Sequence, residues 1–319
     1  MVKAKIVDKT KKQHKFSTGQ MFNFAQDSYL ERTSRPIYAV VFLLPFILIY
    51  ELGVIVSNTN LLDQYPALVD TPVLVDTFVW LQKLLISLGF GGKLIWIAPP
   101  LVVAIILIAL QLTSGKRWRF WLGDIWRMGL ECVLLAIPLV VLVLFIISLD
   151  HTHSDSISNE CTSTEVQNPA MINCSSNAPD NPSANDATES IDVRWKYLVA
   201  NIITGIGAGI YEEFVFRLIL ISFLMMFFED ALKIDHGKSI VLSVLISAIL
   251  FSAHHHIDFL SGQPNPTDPF NLTKFAFRTI AGIYFAILFA FRGFGITAGT
   301  HAFYNIIAVS ITARYFSVT

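Results

Sequence analysis

The stretch PIYAVVFLLPFILIYELGVIVS, residues 36–57, decides the class of fold. Its single charged residue is Glu51, and its length matches the roughly 20 apolar residues that a helix needs to cross the hydrocarbon core of a bilayer. Residues 94–112 and 130–149 have the same character. The whole chain agrees, since 54% of its 319 residues are hydrophobic and 15% are charged, against about 25% charged in soluble domains. We therefore expect an integral membrane protein.

Apolar blocks in the C-terminal half bring the predicted number of spans to about seven: residues 197–228, 239–257, 274–291 and 294–312. Residues 77–90 form one further candidate. That block is short and is followed by two glycines, so we expect an interfacial or re-entrant segment there, with an eighth span as the alternative. The predicted fold class is all-α, a polytopic transmembrane helix bundle.

The distribution of lysine and arginine predicts the orientation in the membrane. Residues 1–35 contain eight of them, further clusters lie in residues 113–129 and 229–238, and none lies between Met128 and Val193. Cytoplasmic loops carry an excess of these residues, so we expect all three basic segments, and with them the N-terminus, in the cytoplasm. The expected location is a bacterial plasma membrane.

This pattern divides the chain into four parts. A basic cytoplasmic arm covers residues 1–35, and the N-terminal transmembrane helices cover residues 36–149. Residues 150–193 are rich in Ser, Asn, Asp and Thr, so they cannot bury a core and are expected to form a disordered extracytoplasmic loop. Residues 194–319 form the second transmembrane bundle, which holds nearly all the polar residues that interrupt the apolar blocks.

The first polar cluster is Glu212-Glu213 followed by Arg217, inside an apolar run. A charge at mid-membrane costs about 2.5–3.5 kcal/mol, so these residues need a reason to be there. Glu213 and Arg217 are four apart, share one helix face and can pair. Glu212 points about 100° away and is available for another role. A structural ion pair at a helix end is the competing interpretation.

Two more clusters lie on later spans. His254, His255 and His256 are consecutive, and because neighbours on a helix point about 100° apart, at most two of them can converge on one site. His301 and Asn305 are four apart and share a face of the last span. Taken singly, each of these residues is equally explained as an interfacial or packing residue.

Together the three clusters provide the groups that a hydrolytic reaction needs. Ionisable residues within membrane spans normally face a bundle interior or a water-filled cavity and are functional. A buried carboxylate can act as general base, an imidazole can share its water, and a second imidazole with an amide N–H can stabilise an oxyanion. This set fits hydrolysis of an amide. The same carboxylate and imidazoles could instead hold a divalent metal such as zinc.

The order E-E-x-x-x-R, F-x-x-x-H and H-x-x-x-N on successive spans resembles the CPBP family of intramembrane proteases. This is the Abi family, which includes type II CAAX prenyl proteases and bacteriocin-processing or bacteriocin-immunity proteins. The resemblance covers residues 197–312, roughly. The matching residues are Glu212, Glu213, Arg217, Phe251, His255, His301 and Asn305.

The resemblance implies a role for each catalytic residue. Glu212 and His255 would activate the attacking water, and His301 and Asn305 would form the oxyanion site. If a metal is bound, its ligands would be Glu212, His255 and His301. A metalloprotease mechanism and a metal-free glutamate mechanism are equally open at this point.

The supporting residues and the departures from the family pattern complete this interpretation. Glu213 and Arg217 would brace the first helix of the site. Leu218 stands where the family often has glycine, and His254 and His256 flank the histidine that the spacing selects. A different helix register would bring one of those neighbours into the site instead.

The predicted function is an intramembrane endopeptidase that hydrolyses a peptide bond of a membrane-bound protein or peptide. We expect the protein to be embedded in the lipid bilayer and to have no nucleic-acid partner. The alternative is a non-catalytic immunity or scaffold protein with the same fold, for which an intact set of water-activating residues would not be needed. A proton-coupled transporter is a third interpretation, but the sequence lacks the inverted repeats typical of that class.

Overall fold

A computed structural model describes residues 27–58, 75–90, 97–160, 184–259, 261–266 and 268–315. Most of the predicted basic arm, up to residue 26, lies outside the described residues, as do residues 161–183 of the predicted polar loop. Within the described ranges the regular structure is helical, apart from one short hairpin of two strands. This agrees with the predicted all-α class.

The helices of the N-terminal half are α1 (Tyr29–Thr33), α2 (Pro36–Asn58), α3 (Asp76–Ser87), α4 (Ala98–Ser114) and α5 (Leu122–Glu160). Helix α6 begins at Ala184 and ends at Ala231; it is α-helical to Glu213, π-helical over Phe214–Ile221, α-helical over Ser222–Met226 and π-helical again over Phe227–Ala231. The remaining elements are α7 (His236–His256), β1 (Ile257–Asp258), β2 (Gln263–Pro264), α8 (Leu272–Arg292) and α9 (Phe294–Tyr315).

Five helices in the described part of the chain are long and apolar enough to cross a membrane: Pro36–Val56, Leu122–Ser148, His236–His256, Leu272–Arg292 and Phe294–Ala313. Helix α4 is apolar but has 17 residues. Helix α6, which contains the predicted span 197–228 together with two glutamates and an arginine, is not among the five. The protein is thus an all-α membrane protein with five candidate spans, and the count of seven or eight stays a prediction.

The polar segment 150–193 differs from the expectation of a disordered loop at both of its ends. Helix α5 continues to Glu160, and α6 begins at Ala184, so helix covers residues 150–160 and 184–193. Once a helix is nucleated, each added residue gains a backbone hydrogen bond, which explains how apolar spans extend into polar flanks. The candidate segment 77–90 corresponds to the 12-residue helix α3 (Asp76–Ser87), which is about 18 Å long and therefore shorter than the hydrocarbon core.

Glycines let α6 and α9 approach each other closely. A Cβ atom on Gly209 would lie 2.5 Å from the backbone nitrogen of Ala302 and 2.7 Å from its Cα, so only glycine fits this contact. A Cβ atom on Gly205 would lie 2.8 Å from Cβ of Asn305, about one turn along α9 from Ala302. Small residues at such crossings are typical of packed membrane helices. The consequence is that the polar residues of α6 and α9 face each other at short range.

One end of the bundle, which we call the basic end, comprises the starts of α2, α5 and α7 and the end of α8. Two ion pairs join α8 and α1 to α5 at this end: Arg292 Nη2 donates to Glu131 Oε2 at 2.8 Å, and Arg32 Nε donates to Asp124 Oδ2 at 3.0 Å. Arg292 also donates to the Thr33 hydroxyl at 3.0 Å. The N-terminal helix α1 is thereby attached to the same end as α8.

The opposite end, which we call the hairpin end, comprises α3, the end of α7, the β1–β2 hairpin and the start of α8. The strands pair antiparallel, with Ile257 opposite Pro264. The Thr77 hydroxyl of α3 lies 3.2 Å from Nε2 of His254, which connects α3 to the end of α7. The predicted site residues lie toward this end.

Candidate active site

Glu212 and Glu213 are the last two residues of the α-helical part of α6, directly before the π-helical segment Phe214–Ile221. Both carboxylates are buried, with 6% and 0% of the residue surface exposed. A π-helical segment changes the direction of side chains relative to a regular α-helix and often occurs at functional sites. Because consecutive residues of an α-helix point about 100° apart, the two neighbouring carboxylates meet different partners.

Glu213 binds two buried groups at once. His301 Nδ1 donates to Glu213 Oε1 at 2.8 Å. Arg217 Nε lies 3.0 Å from Glu213 Oε2, a close contact of opposite charges rather than an aligned hydrogen bond. The guanidinium also donates to the Gly282 carbonyl at 3.3 Å and lies over the Phe251 ring, 4.3 Å from its centre. The pairing of Glu213 with Arg217 that the spacing predicts is therefore present, and it extends to His301.

Glu212 faces two imidazole nitrogens. Its Oε1 lies 3.7 Å from His255 Nε2, and its Oε2 lies 4.0 Å from His301 Nε2. The other ring nitrogen of His255 donates to the Phe251 carbonyl at 3.0 Å, which in a neutral ring leaves Nε2 as an acceptor. Separations of this size are too long for a direct hydrogen bond and suit a bridging water. Glu212, His255 and His301 thus surround one position for a small polar molecule.

The other two histidines at the end of α7 are directed elsewhere. His254 contacts the Thr77 hydroxyl, and His256 Nδ1 donates to the Asp268 carbonyl at 3.1 Å. Of the three consecutive histidines, His255 is therefore the one beside the carboxylate of Glu212. The flanking pair attaches the end of α7 to α3 and to the segment before α8.

Asn305 lies one helical turn beyond His301 on α9 and donates from Nδ2 to the Gly205 carbonyl at 3.0 Å. Among the described residues it hydrogen-bonds to neither Glu212 nor His301. A side-chain amide has two N–H donors, so this bond leaves one for a substrate oxygen. The structure brings Glu212, His255 and His301 together and places Asn305 beside them.

Metal binding by Glu212, His255 and His301 was the other possibility that the sequence left open. In the part of the chain that the structure describes, no group of three or more His, Cys, Asp or Glu side chains is arranged to hold a metal ion. Neighbouring donor atoms of a tetrahedral zinc site, with bonds of about 2.0–2.2 Å, lie roughly 3.3–3.6 Å apart, slightly less than the 3.7 and 4.0 Å found here. Metal binding by these three residues therefore stays a prediction.

Sequence reasoning missed one polar pair next to the site, formed by a buried tyrosine and a half-buried glutamate. The Tyr211 hydroxyl donates to Glu51 Oε1 at 2.7 Å, connecting α6 to α2 at the residue directly before Glu212. The Tyr211 ring packs edge-on against Phe78 of α3, 5.0 Å between ring centres. A signal existed, since Glu51 is the one charged residue in the first span and intramembrane carboxylates rarely lack a role.

A cavity of about 250 Å³ opens at the hairpin end, next to these residues. His254 lines it, and Asn265, another lining residue, donates from Nδ2 to the backbone carbonyl of His255 at 3.1 Å. The cavity therefore reaches the end of α7, but Glu212, His255, His301 and Asn305 are not among its lining residues. Its other polar lining residues are Asp76, Lys83, Asp258, Ser261 and Gln263.

Comparison with known proteins finds a family match in the same part of the chain that holds the candidate site. The family model of type II CAAX prenyl endopeptidase Rce1-like proteins matches residues 194–307, which include every candidate site residue. No curated protein and no solved structure matches the chain. Residues 194–307 of this chain are therefore a domain of the Rce1-like type II CAAX prenyl endopeptidase family.

Proposed function

We propose that this protein is an intramembrane endopeptidase that hydrolyses a peptide bond of a membrane-associated protein or peptide. The observation that carries this proposal is the position of Glu212, whose two carboxylate oxygens face Nε2 of His255 and Nε2 of His301 at 3.7 and 4.0 Å. In each histidine the other nitrogen is already engaged, by the Phe251 carbonyl and by Glu213 respectively.

The first step is the attack of water on the scissile carbonyl. A water between Glu212 and His255 donates one hydrogen to the carboxylate and one to the Nε2 lone pair, so its own lone pair is directed at the carbonyl carbon. The new C–O bond forms as Glu212 takes the proton and the carbonyl π electrons move to oxygen. A general base positioned in this way accelerates such reactions by about 10²–10⁴-fold.

The oxyanion needs donors in place before it forms. Protonated His301 donates from Nδ1 to Glu213 and from Nε2 to the oxyanion, and the second amide hydrogen of Asn305 donates to the same oxygen. When the tetrahedral intermediate collapses, the C–N bond breaks and the leaving nitrogen takes the proton held by Glu212. A new carboxyl terminus and a new amino terminus result.

The test compares wild type with Glu212→Gln, both purified in detergent and incubated with libraries of membrane proteins and peptides. New termini are read by mass spectrometry, and metal content is measured on the same samples. Glu229→Gln is the matched control, because Glu229 lies on the same helix and pairs with His236 near the basic end. We expect products from wild type and from the control, and a loss of about 10²–10⁴-fold in Glu212→Gln.

Identical product lists from folded wild type and Glu212→Gln would contradict the catalytic role. The non-catalytic immunity or scaffold function would then be the better explanation of the same fold.

A further inference from the structure

Glu51 carries the one charge of the first span, and the hydrolytic steps proposed above do not use it. It lies on α2, outside the family-matched residues 194–307. Glu51 is half-buried, its partner Tyr211 is fully buried, and the Tyr211 hydroxyl donates to Glu51 Oε1 at 2.7 Å. A carboxylate within a membrane span is costly and normally functional, so this bond calls for a role beyond packing.

Tyr211 belongs to a cluster of three aromatic rings that joins α6 to α2 and α3. Its ring centre lies 5.0 Å from that of Phe78 and 5.5 Å from that of Tyr50, and the latter two are 5.5 Å apart. None of the three residues exposes any surface. One turn before Tyr211, on the same face of α6, Gly207 has no room for a Cβ atom because the Tyr50 ring lies against it. This face of α6 is therefore closely packed against the N-terminal half of the chain.

Three consecutive residues of α6 contact three different parts of the bundle, because neighbours on an α-helix point about 100° apart. Tyr211 reaches α2 and α3. Glu212 faces Nε2 of His255 on α7, and Glu213 accepts a hydrogen bond from His301 on α9. A rotation of α6 about its axis would therefore change all of these contacts together.

The backbone itself is irregular directly after these residues. The α-helical part of α6 ends at Glu213, and Phe214–Ile221 form the π-helical segment, in which hydrogen bonds connect residues five apart rather than four. The turn that carries Glu212 is thus not continued by a regular α-helix, and its contacts with neighbouring helices help to set its rotation. Hydrogen bonds depend on direction and apolar packing does not, so the bond from the Tyr211 hydroxyl constrains this rotation in a way that the rings cannot.

We propose that Glu51 is a positioning residue for the base Glu212: by accepting the hydrogen of the Tyr211 hydroxyl, it fixes the rotation of α6 at the residue before the base. Given the proposed function, on which this inference rests, α2 and α3 take part in the reaction although they lie outside the family match. A misplacement of about 1 Å can cost about 10²-fold in rate, so a small rotation of α6 is sufficient to impair Glu212.

Substitutions at both ends of the bond test this role in purified protein, with a peptide that wild type cleaves. Tyr211→Phe removes the hydroxyl and keeps the ring, and Glu51→Ala removes the acceptor. Glu51→Gln keeps a carbonyl oxygen that can accept the same hydrogen. Tyr50→Phe is the matched control, because it removes a hydroxyl from the same aromatic cluster, one that accepts from the Val75 N–H at 3.4 Å.

We expect kcat per folded protein to fall about 10- to 10²-fold in Tyr211→Phe and in Glu51→Ala, with KM within about twofold of wild type. The double variant should lose no more than either single variant, because both changes remove the same bond. Glu51→Gln should regain most of the kcat that Glu51→Ala loses, and Tyr50→Phe should keep it. Melting temperatures measured on the same samples separate a loss of folded protein from a loss of rate.

Wild-type kcat per folded protein in Tyr211→Phe and Glu51→Ala would overturn the positioning role. Additive losses in the double variant, or an equal loss of kcat in Tyr50→Phe, would overturn it as well. Each of these outcomes leaves the proposed function in place as long as Glu212→Gln is inactive. A wild-type protein that cleaves no more than Glu212→Gln would contradict the proposed function, and the positioning role with it.

Discussion

His301 and Glu213 are joined by a hydrogen bond of 2.8 Å from Nδ1 to Oε1, at the centre of the contact between α9 and α6. The second oxygen of the same carboxylate lies 3.0 Å from Arg217 Nε, and neither Glu213 nor Arg217 exposes any surface. One carboxylate therefore orients the imidazole of the site and neutralises a buried cation. This relationship explains why two adjacent glutamates are present where one would supply the base.

Replacement of Glu213 by glutamine should reduce both stability and activity. Arg217 would remain buried without its counter-charge, and loss of one partner of a buried ion pair costs about 3–5 kcal/mol. The imidazole of His301 would also lose its charged acceptor. Thermal unfolding in detergent and kcat for a cleaved peptide measure the two effects.

The double variant Glu213→Gln with Arg217→Met separates the two causes. Because it removes the cation as well, it should unfold at a higher temperature than Glu213→Gln alone while its activity stays low. A double variant that is no more stable than the single one would show that the unpaired cation is not the source of the instability.

Substitutions of the three histidines at the end of α7, made one at a time, should have very different effects on activity. His255→Asn removes the Nε2 atom that lies 3.7 Å from Glu212, and we expect a loss of about 10²–10⁴-fold in kcat/KM. His254→Gln and His256→Gln should keep most activity, since their rings contact Thr77 and the Asp268 carbonyl instead. A folded His254 or His256 variant that is as inactive as His255→Asn would contradict the geometry.

Part of this site follows from local sequence spacing. Residues four apart on a helix share a face, and that rule alone predicts the contact of Glu213 with Arg217, found at 3.0 Å. The same rule cannot choose among three consecutive histidines. Family spacing selects His255. In the structure His255 is the histidine beside Glu212, since His254 contacts Thr77 and His256 contacts the Asp268 carbonyl.

Contacts between helices could not be predicted in the same way. The hydrogen bond from Asn305 to the Gly205 carbonyl depends on how closely α6 and α9 approach, which no pattern within one helix specifies. The bond from Tyr211 to Glu51 joins residues 160 positions apart. The sequence shows Glu51 as a charged residue in an apolar span, but it does not indicate that Tyr211 is its partner.

The close approach of α6 and α9 makes Gly209 a sensitive position. In Gly209→Ala the added Cβ atom would lie 2.5 Å from the Ala302 backbone nitrogen, so the two helices must move apart. Overpacking of this kind costs about 1–3 kcal/mol, and the shift would separate Glu213 from His301. We expect lower thermal stability together with lower kcat.

Gly129→Ala is the matched control for that change. Gly129 also lies within a helix, α5, but a Cβ atom there meets no described atom within 4 Å beyond the neighbouring residues and backbone of its own helix. Alanine is favoured over glycine in a helix by up to about 1 kcal/mol, so this variant should be as stable as wild type or more so. Equal effects of the two substitutions would mean that the α6–α9 contact is looser than described.

The segment before α8 provides a prediction for the effect of pH on stability. Burial raises the pKa of Asp268, but hydrogen bonds from Lys274 and Arg278 outweigh it and hold the pKa below the ordinary value of 3.8. Lys274 Nζ donates to Oδ1 at 3.0 Å, and Arg278 pairs with the other oxygen. A depressed folded-state pKa stabilises the protein at pH values above the unfolded-state pKa, and this contribution disappears as the pH falls through the folded-state pKa.

The melting temperature of wild type should therefore exceed that of Asp268→Asn at neutral pH, and the difference should shrink below about pH 4. Asp235→Asn, an exposed acid at the basic end, is the control. A difference that persists unchanged in acid would show that Asp268 stabilises this segment without its charge.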